Sequence, residues 1–214
     1  MLSCEKIKVI KVHTKDIATI LNPSSSKQGL LLAAGWSRRF GADKLLQPLA
    51  DGTPIGLAAA RHLRAALSDT LVVVNADNEW ARLLVQDGFS VTICPRARDG
   101  MGNSLAWGVE QTARASAWIV ALADMPFIQP ATIRRVADAI DHETDLAAPV
   151  FQGKRGHPVG FGRAYAEELK QLTGDEGARA ILRRHQRSLN GLPCEDPGVL
   201  ADINAPADLP PSTC

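Results

Sequence analysis

Residues 29–44 read Gly29-Leu30-Leu31-Leu32-Ala33-Ala34-Gly35-Trp36-Ser37-Arg38-Arg39-Phe40-Gly41-Ala42-Asp43-Lys44. Gly29–Ala34 is a continuous apolar run that ends at a glycine, as a strand buried on both faces of a parallel sheet does. The residues after it are small, glycine-bearing and cationic. Glycines let the backbone approach a ligand closely and point its amides at phosphate oxygens. Arg39 adds a forked cation and Lys44 a point charge. A triphosphate suits that combination. Leu32, Ala33, Ala34, Gly35 and Ser37 are then candidate nucleotide contacts, and Arg39 and Lys44 candidate catalytic groups. A glycine turn with solvated arginines fits the composition equally well. The stretch is neither a G-x-x-x-x-G-K-[ST] loop nor G-x-G-x-x-G, which disfavours a P-loop kinase and a dinucleotide dehydrogenase.

Beyond this stretch, short apolar runs alternate with helical periodicity. Pro54–Leu67 repeats apolar residues at helical spacing, with a proline near its start. Leu71–Val74 reads as a strand, Asp77–Gln86 as a helix and Phe89–Ile93 as a third strand. Helix 102–114, strand 118–123 and helix 130–140 come next. The alternation predicts a Rossmann-like α/β fold, a mostly parallel sheet with helices on both faces. Ligands of such sheets lie beyond the carboxyl ends of the strands, so chemistry is expected just after each strand. Residues 146–159 break the rhythm with a glycine-rich turn, as an excursion that builds the second half of a pocket would.

The chain has 214 residues, which suits one domain with a sizeable core. We read residues 29–214 as that domain and residues 1–28 as a leader without an assigned role, in which Ile7–Val12 fits an edge strand. No secretory signal is evident in the leader, and no apolar run is long enough to span a bilayer. The formal net charge of +1 gives no global field toward nucleic acid or an anionic membrane. Cys4, Cys94, Cys194 and Cys214 are scattered, which argues against zinc and against a disulfide framework. Reduced thiols in a cytoplasmic protein are the simplest reading.

Several post-strand segments carry candidate chemistry. In Asp99–Leu105, Gly100 and Gly102 permit unusual backbone angles, and Ser104 near a helix start suits a base edge or a phosphate. Asn103 or Ser104 is alternatively a simple helix cap. Asp124 closes an apolar strand, where a hard oxygen ligand suits Mg²⁺, which keeps waters and bridges substrate phosphates; a turn cap is the plainer reading. His157 comes after the strand 146–150 and is either a base or a packed histidine. Asp175 reads as the N-cap of a helix over 176–184, and Arg179 as an anion contact or a solvated charge.

Together these segments resemble a known family. The order L-A-A-G-x-S-x-R-x-G-x-x-K over residues 32–44 is similar to the opening signature of the molybdenum-cofactor nucleotidyltransferases, and best to their cytidylyltransferase branch. The signature's arginine falls on Arg39 and its lysine on Lys44. The guanylyl branch typically starts L-A-G-G, so Ala34 favours cytidine. The resemblance extends to about residue 209. It implies that Gly100 and Ser104 lie near the base and that Asp124 binds metal. It also places Gly156, His157, Asp175 and Arg179 on the side of the pterin phosphate.

The closing motif, often D-I-D-T-P-E-D-L in the family, departs here: Asn204, Ala205 and Ala207 replace Asp, Thr and Glu. Asp202 and Asn204 are the candidate second metal contacts, and they point the same way if the segment is a strand. Asp208 reads as a local cap or pair. The implied activity is Mg²⁺-dependent transfer of CMP from CTP to molybdenum-bound molybdopterin. The implied partners are client molybdenum hydroxylases or their maturation chaperone. A guanylyl or other small-phosphate transferase, and a non-catalytic nucleotide-binding chaperone, are the alternatives.

Overall fold

The computed structural model describes residues 26–35 and 44–208. The expected strand at Ile7–Val12, together with Ser37 and Arg39, lies outside these residues. The apolar run becomes β1, Lys27–Ala33. It is succeeded by α1 (Ile55–Ala66), β2 (Thr70–Val74), α2 (Glu79–Gln86), β3 (Ser90–Ile93), α3 (Met101–Gln111), β4 (Ala117–Leu122) and α4 (Pro130–Asp138). The second half holds β5 (Leu146–Phe151), β6 (Lys154–Arg155), β7 (Val159–Gly162), α5 (Ala166–Lys170), α6 (Arg179–Arg184) and β8 (Leu189–Pro193).

The sheet runs β3-β2-β1-β4-β7-β5-β6, and β8 pairs β5. The four strands from β3 to β4 are parallel, while β7 runs antiparallel to both β4 and β5. The excursion expected over 146–159 is thus a hairpin, β5–β6, leading into the reversed strand β7. Alternation along β1 explains the layers. Leu31 and Ala33 join one core with Ile55, Leu63, Trp80 and Val136, whereas Leu30 and Leu32 join another with Leu105, Trp118 and Phe161. Successive side chains of a strand point to opposite faces, so a run buried on both faces needs helices on both. Helices α1, α2 and α4 supply one layer; α3, α5 and α6 supply the other.

β1 stands between β2 and β4. The chain moves outward from β1 to β3, then crosses back to lay β4 on the other side of β1. The crevice beyond the carboxyl ends of β1 and β4 is therefore the topological switch point, where open α/β sheets take ligands. Leu32 and Leu122 are paired across that edge.

Two expectations are corrected. No helix begins at Glu176: α6 starts at Arg179, with Ala178 at its N-cap position. Gly174 and Gly177 adopt φ of +69° and +55°, in the left-handed region that a right-handed helix cannot include. Asp175 thus lies in a turn, not at a helix cap. The closing segment Ala201–Asn204 is not a strand. Its Ile203 amide donates a single hydrogen bond to the Asp124 carbonyl, at 2.9 Å, in place of a ladder.

Candidate active site

Two clefts open at the switch point and share Leu32, Met101, Leu122 and Asp175. The larger, of about 460 Å³, is lined by Leu32, Ala33, Ala34, Gly35 and Lys44, with Gly100, Ser104 and Asp124 completing it. The smaller, of about 350 Å³, is lined by Gly156, His157, Asp175, Arg179 and Asp202 over an apolar floor that includes Val159 and Phe161. Most residues expected to meet a nucleotide line the larger cleft and most expected to meet an acceptor line the smaller, with Leu32 and Asp175 lining both.

In the larger cleft, Gly35 lies just past β1, and Lys44 opens a short 3-10 turn, Lys44–Leu46. Asp124 comes just after β4, held there by the Ala123 amide on the Leu32 carbonyl at 3.1 Å. The Lys44 ammonium meets the Asp124 carboxylate, Nζ to Oδ2, at 2.9 Å. Both side chains are largely withdrawn from water, at 13% and 26% exposure. A charge pair so shielded is screened less by salt than one on the open surface.

Gly100 precedes α3 with φ +115°, and a Cβ there would stand 2.3 Å from the Gly174 carbonyl carbon. Only glycine suits both constraints. Gly102 serves differently from the expectation of unusual angles: it sits inside α3, where a Cβ would meet the Thr173 carbonyl oxygen at 2.7 Å. Its amide donates to the Gly174 carbonyl at 2.8 Å. The start of α3 and the turn at Thr173–Gly174 are therefore packed backbone to backbone. Neither Asn103 nor Ser104 caps α3. Both are buried in its first turns, and the Asn103 amide nitrogen donates back to the Asp99 carbonyl. Behind this helix, burial pushes the Cys94 thiol up, which leaves it protonated rather than nucleophilic.

In the smaller cleft, His157 is fixed by its backbone amide on the Val199 carbonyl at 3.0 Å. Its Nδ1 is shielded from solvent and has no hydrogen-bond partner among the described residues. Burial pushes the imidazole below its ordinary value; the Asp124 carboxylate and the Val120 carbonyl oppose this, and Arg155 adds to it. The ring is neutral at pH 7, which removes it as a fixed cation. Asp175 lines both clefts, and Arg179 opens α6 at the wall of the smaller one.

Of the residues expected to meet a cation, Asp124 lines the larger cleft, Asp202 lines the smaller, and Asn204 lines neither. The Asn204 side-chain nitrogen donates to Asp202 Oδ2 at 2.6 Å, so the two side chains do share a side although the segment is not a strand. That contact leaves the Asn204 amide oxygen as its remaining donor to a metal. Asp208 accepts the Asn204 and Ala205 amides, each at 2.8 Å, as the local cap expected of it. No three of His, Cys, Asp and Glu converge on one point among the described residues. Hard oxygen donors with at most two carboxylates suit Mg²⁺ or Mn²⁺ completed by waters and phosphates, and do not make a closed protein cage.

Arg98, Met101 and Arg155, which sequence reasoning misses, also line the clefts. Met101 is the most informative: it is 43% exposed at the mouth of both. A large apolar side chain between two glycines at a helix start is the signal that could have found it.

A sequence profile of the MobA-like NTP transferase domain matches residues 29–189. The chain is 32% identical over 192 residues to the purine catabolism protein PucB of Bacillus subtilis, covering 84% of this chain and 92% of that protein. It is 35% identical over 134 residues to a molybdenum cofactor guanylyltransferase of Burkholderia ambifaria, covering 60% of this chain and 64% of that one. Among solved structures it resembles Rv0371c of Mycobacterium tuberculosis, with 27% identity, a TM-score of 0.73 and coverage of 86% and 95%. The same protein in complex with manganese matches with a TM-score of 0.70 at 26% identity, covering 86% and 95%. No helix among the described residues is long and apolar enough to cross a membrane.

Proposed function

This chain belongs to the MobA-like NTP transferase domain family, and we propose that it transfers CMP from CTP to the terminal phosphate of molybdenum-bound molybdopterin, releasing pyrophosphate. The observation that carries this reading is the pair of abutting clefts at the β1/β4 switch point. One holds the glycine loop, Lys44 and Asp124; the other holds His157 and Arg179. Two anionic substrates can meet along their shared wall. We read residues 29–214 as one nucleotidyltransferase domain built around that wall.

The reaction asks little of proton transfer. A phosphate oxygen of the acceptor attacks the α-phosphorus of CTP, and the bond to the bridging oxygen of pyrophosphate breaks. The nucleophile is already anionic at neutral pH, so no general base is required, in keeping with a neutral His157 and a protonated Cys94. Catalysis then rests on positioning and charge neutralisation. Lys44 and Arg39 neutralise the departing pyrophosphate. Ala33, Ala34, Gly35 and Ser37 approach the phosphates with their backbone, and Gly100 and Ser104 border the base. Gly156, His157, Asp175 and Arg179 shape the acceptor side. Asp124 and Asp202, with Asn204 supporting Asp202, would hold Mg²⁺, which would supply positive charge to offset that of the phosphates.

The choice of CTP rests on Ala34, which is buried on the wall of the larger cleft where the guanylyl signature has glycine. The guanylyl reading is kept because a relative so named is 35% identical. Thermal unfolding in the presence of Mg²⁺ with CTP, GTP, ATP or UTP separates the two. A ligand that binds the folded state raises its stability in proportion to the logarithm of concentration over Kd. CTP is expected to raise the unfolding midpoint most. A larger rise with GTP would move the assignment to the guanylyl branch.

A further inference from the structure

Asp196 is the only buried carboxylate among the described residues, at 4% exposure, and it lines neither cleft. Burial of a carboxylate is costly unless donors surround it, and three do so here. Oδ2 accepts the Gln129 amide at 2.9 Å and the Thr132 hydroxyl at 2.7 Å, while Oδ1 accepts the Gly198 amide at 3.0 Å. Gln129 is the N-cap residue of α4, and its own side chain makes no cap bond. Gly198 lies in the 3-10 turn Pro197–Leu200, which Asp196 opens. One carboxylate therefore caps two elements, of which α4 begins more than 60 residues earlier in the chain.

The segment anchored in this way passes both clefts. The Gly198 backbone abuts Phe127 so closely that a Cβ would stand 2.3 Å from the Phe127 carbonyl oxygen. The next residue, Val199, accepts the His157 amide on its carbonyl at 3.0 Å. Farther on, the Ile203 amide donates to the Asp124 carbonyl at 2.9 Å. His157 lines the smaller cleft and Asp124 the larger, and Leu200 and Asp202, between the two ties, line the smaller. Residues 196–203 thus form a strap with a clasp at one end and a backbone tie to each cleft. We propose that Asp196 is a positioning residue, which fixes this strap on α4 and through Val199 and Ile203 sets where His157 and Asp124 stand. Its effect on turnover rests on the transfer reaction proposed above; the clasp itself does not. A cap of α4 alone would need no bond to Gly198.

Asp196→Asn tests this, since it keeps the size of the side chain but exchanges one acceptor oxygen for a donor and cannot hold both elements. Val136→Ala is the control: it truncates a core side chain of α4 that takes no part in the clasp. Amide hydrogen exchange is followed on all variants below their unfolding temperatures. In Asp196→Asn the His157 and Ile203 amides are expected to exchange about tenfold faster than in the parent, the weight of one hydrogen bond to a charged group. Val136→Ala is expected to lower the unfolding midpoint and leave those two amides at the parent rate. Thr132→Val, which removes one of the three donors, should fall between. In pyrophosphate release from CTP with acceptor, Asp196→Asn is expected to lower kcat about tenfold or more and to hold KM for CTP within about twofold. Val136→Ala should keep both at the parent values. Exchange at His157 and Ile203 that is unchanged in Asp196→Asn, or raised equally by Val136→Ala, would overturn the clasp. A kcat equal to the parent's in Asp196→Asn, or lowered as far by Val136→Ala, would overturn the positioning role. If Asp196→Asn does not fold, Thr132→Val carries the same readings. A parent that releases pyrophosphate from no nucleotide would remove the proposed function, and the exchange rates would still decide the clasp.

Discussion

Lys44 and Asp124 are 80 residues apart in sequence and 2.9 Å apart in space. The sequence places each at its own strand end but says nothing of their contact, because pairing depends on which strands lie side by side. β1 and β4 are neighbours, so the residues just past them converge. The contact holds the ammonium at the wall of the larger cleft, which both residues line. Lys44→Ala is expected to lower kcat about 100-fold or more, the scale of removing one preorganised charge from a developing anion. Circular dichroism of the variant should remain that of the parent. Full activity in a folded variant would remove Lys44 from catalysis. At this scale His157 was half legible. Its place after a strand was evident, but its backbone tie to Val199 and its unpaired Nδ1 depend on how distant segments pack.

The strands and helices of the first half follow their sequence patterns closely, because a doubly buried strand needs a continuous apolar run and a one-sided helix needs a periodic one. The turn at 174–178 did not. Its Asp-Glu pair looks like a helix start, yet two glycines with positive φ delay the helix to Arg179. The delay was hidden because glycine permits either sign of φ and the sequence does not say which is used. The closing segment likewise lacks a strand pattern of its own and takes its place from Asp124.

The layer of helices behind the site has a measurable pH signature. Asp87, just past α2, accepts from Arg61 at 2.6 Å and from Arg64 at 2.9 Å, both on α1. The Arg61 hydrogen bond holds its carboxyl below the ordinary value, against a smaller opposing effect of burial. A folded-state value below the unfolded one means that the stabilisation is complete above the unfolded value. It is lost as pH falls through the folded value. With Arg61 about half exposed, the gain is about 0.5 kcal/mol. Asp87→Asn should therefore lower the urea midpoint slightly at pH 7, and the difference should close as pH falls through the lowered Asp87 value. A difference that persists unchanged in acid would assign the effect to packing.

At the scale of the whole molecule, the order β3-β2-β1-β4 puts a crevice where the chain reverses direction across the sheet. The antiparallel strand β7 then brings the 156–157 segment to the same edge from the opposite direction. That reversal explains why motifs separated by more than a hundred residues line two adjoining hollows. The alternation of strands and helices predicted the layers, and the carboxyl-end rule predicted the edge. Division of that edge into two clefts was not legible, since it depends on Met101 and Asp175 standing between them.

The nucleotide-transfer reading is tested most directly by pyrophosphate release from CTP, GTP, ATP and UTP, each with Mg²⁺ and molybdenum-bound molybdopterin. Release is expected only when acceptor is present, with CTP favoured over GTP by about tenfold or more, the weight of roughly one methyl group in a fitted pocket. Release from none of the four nucleotides would contradict it.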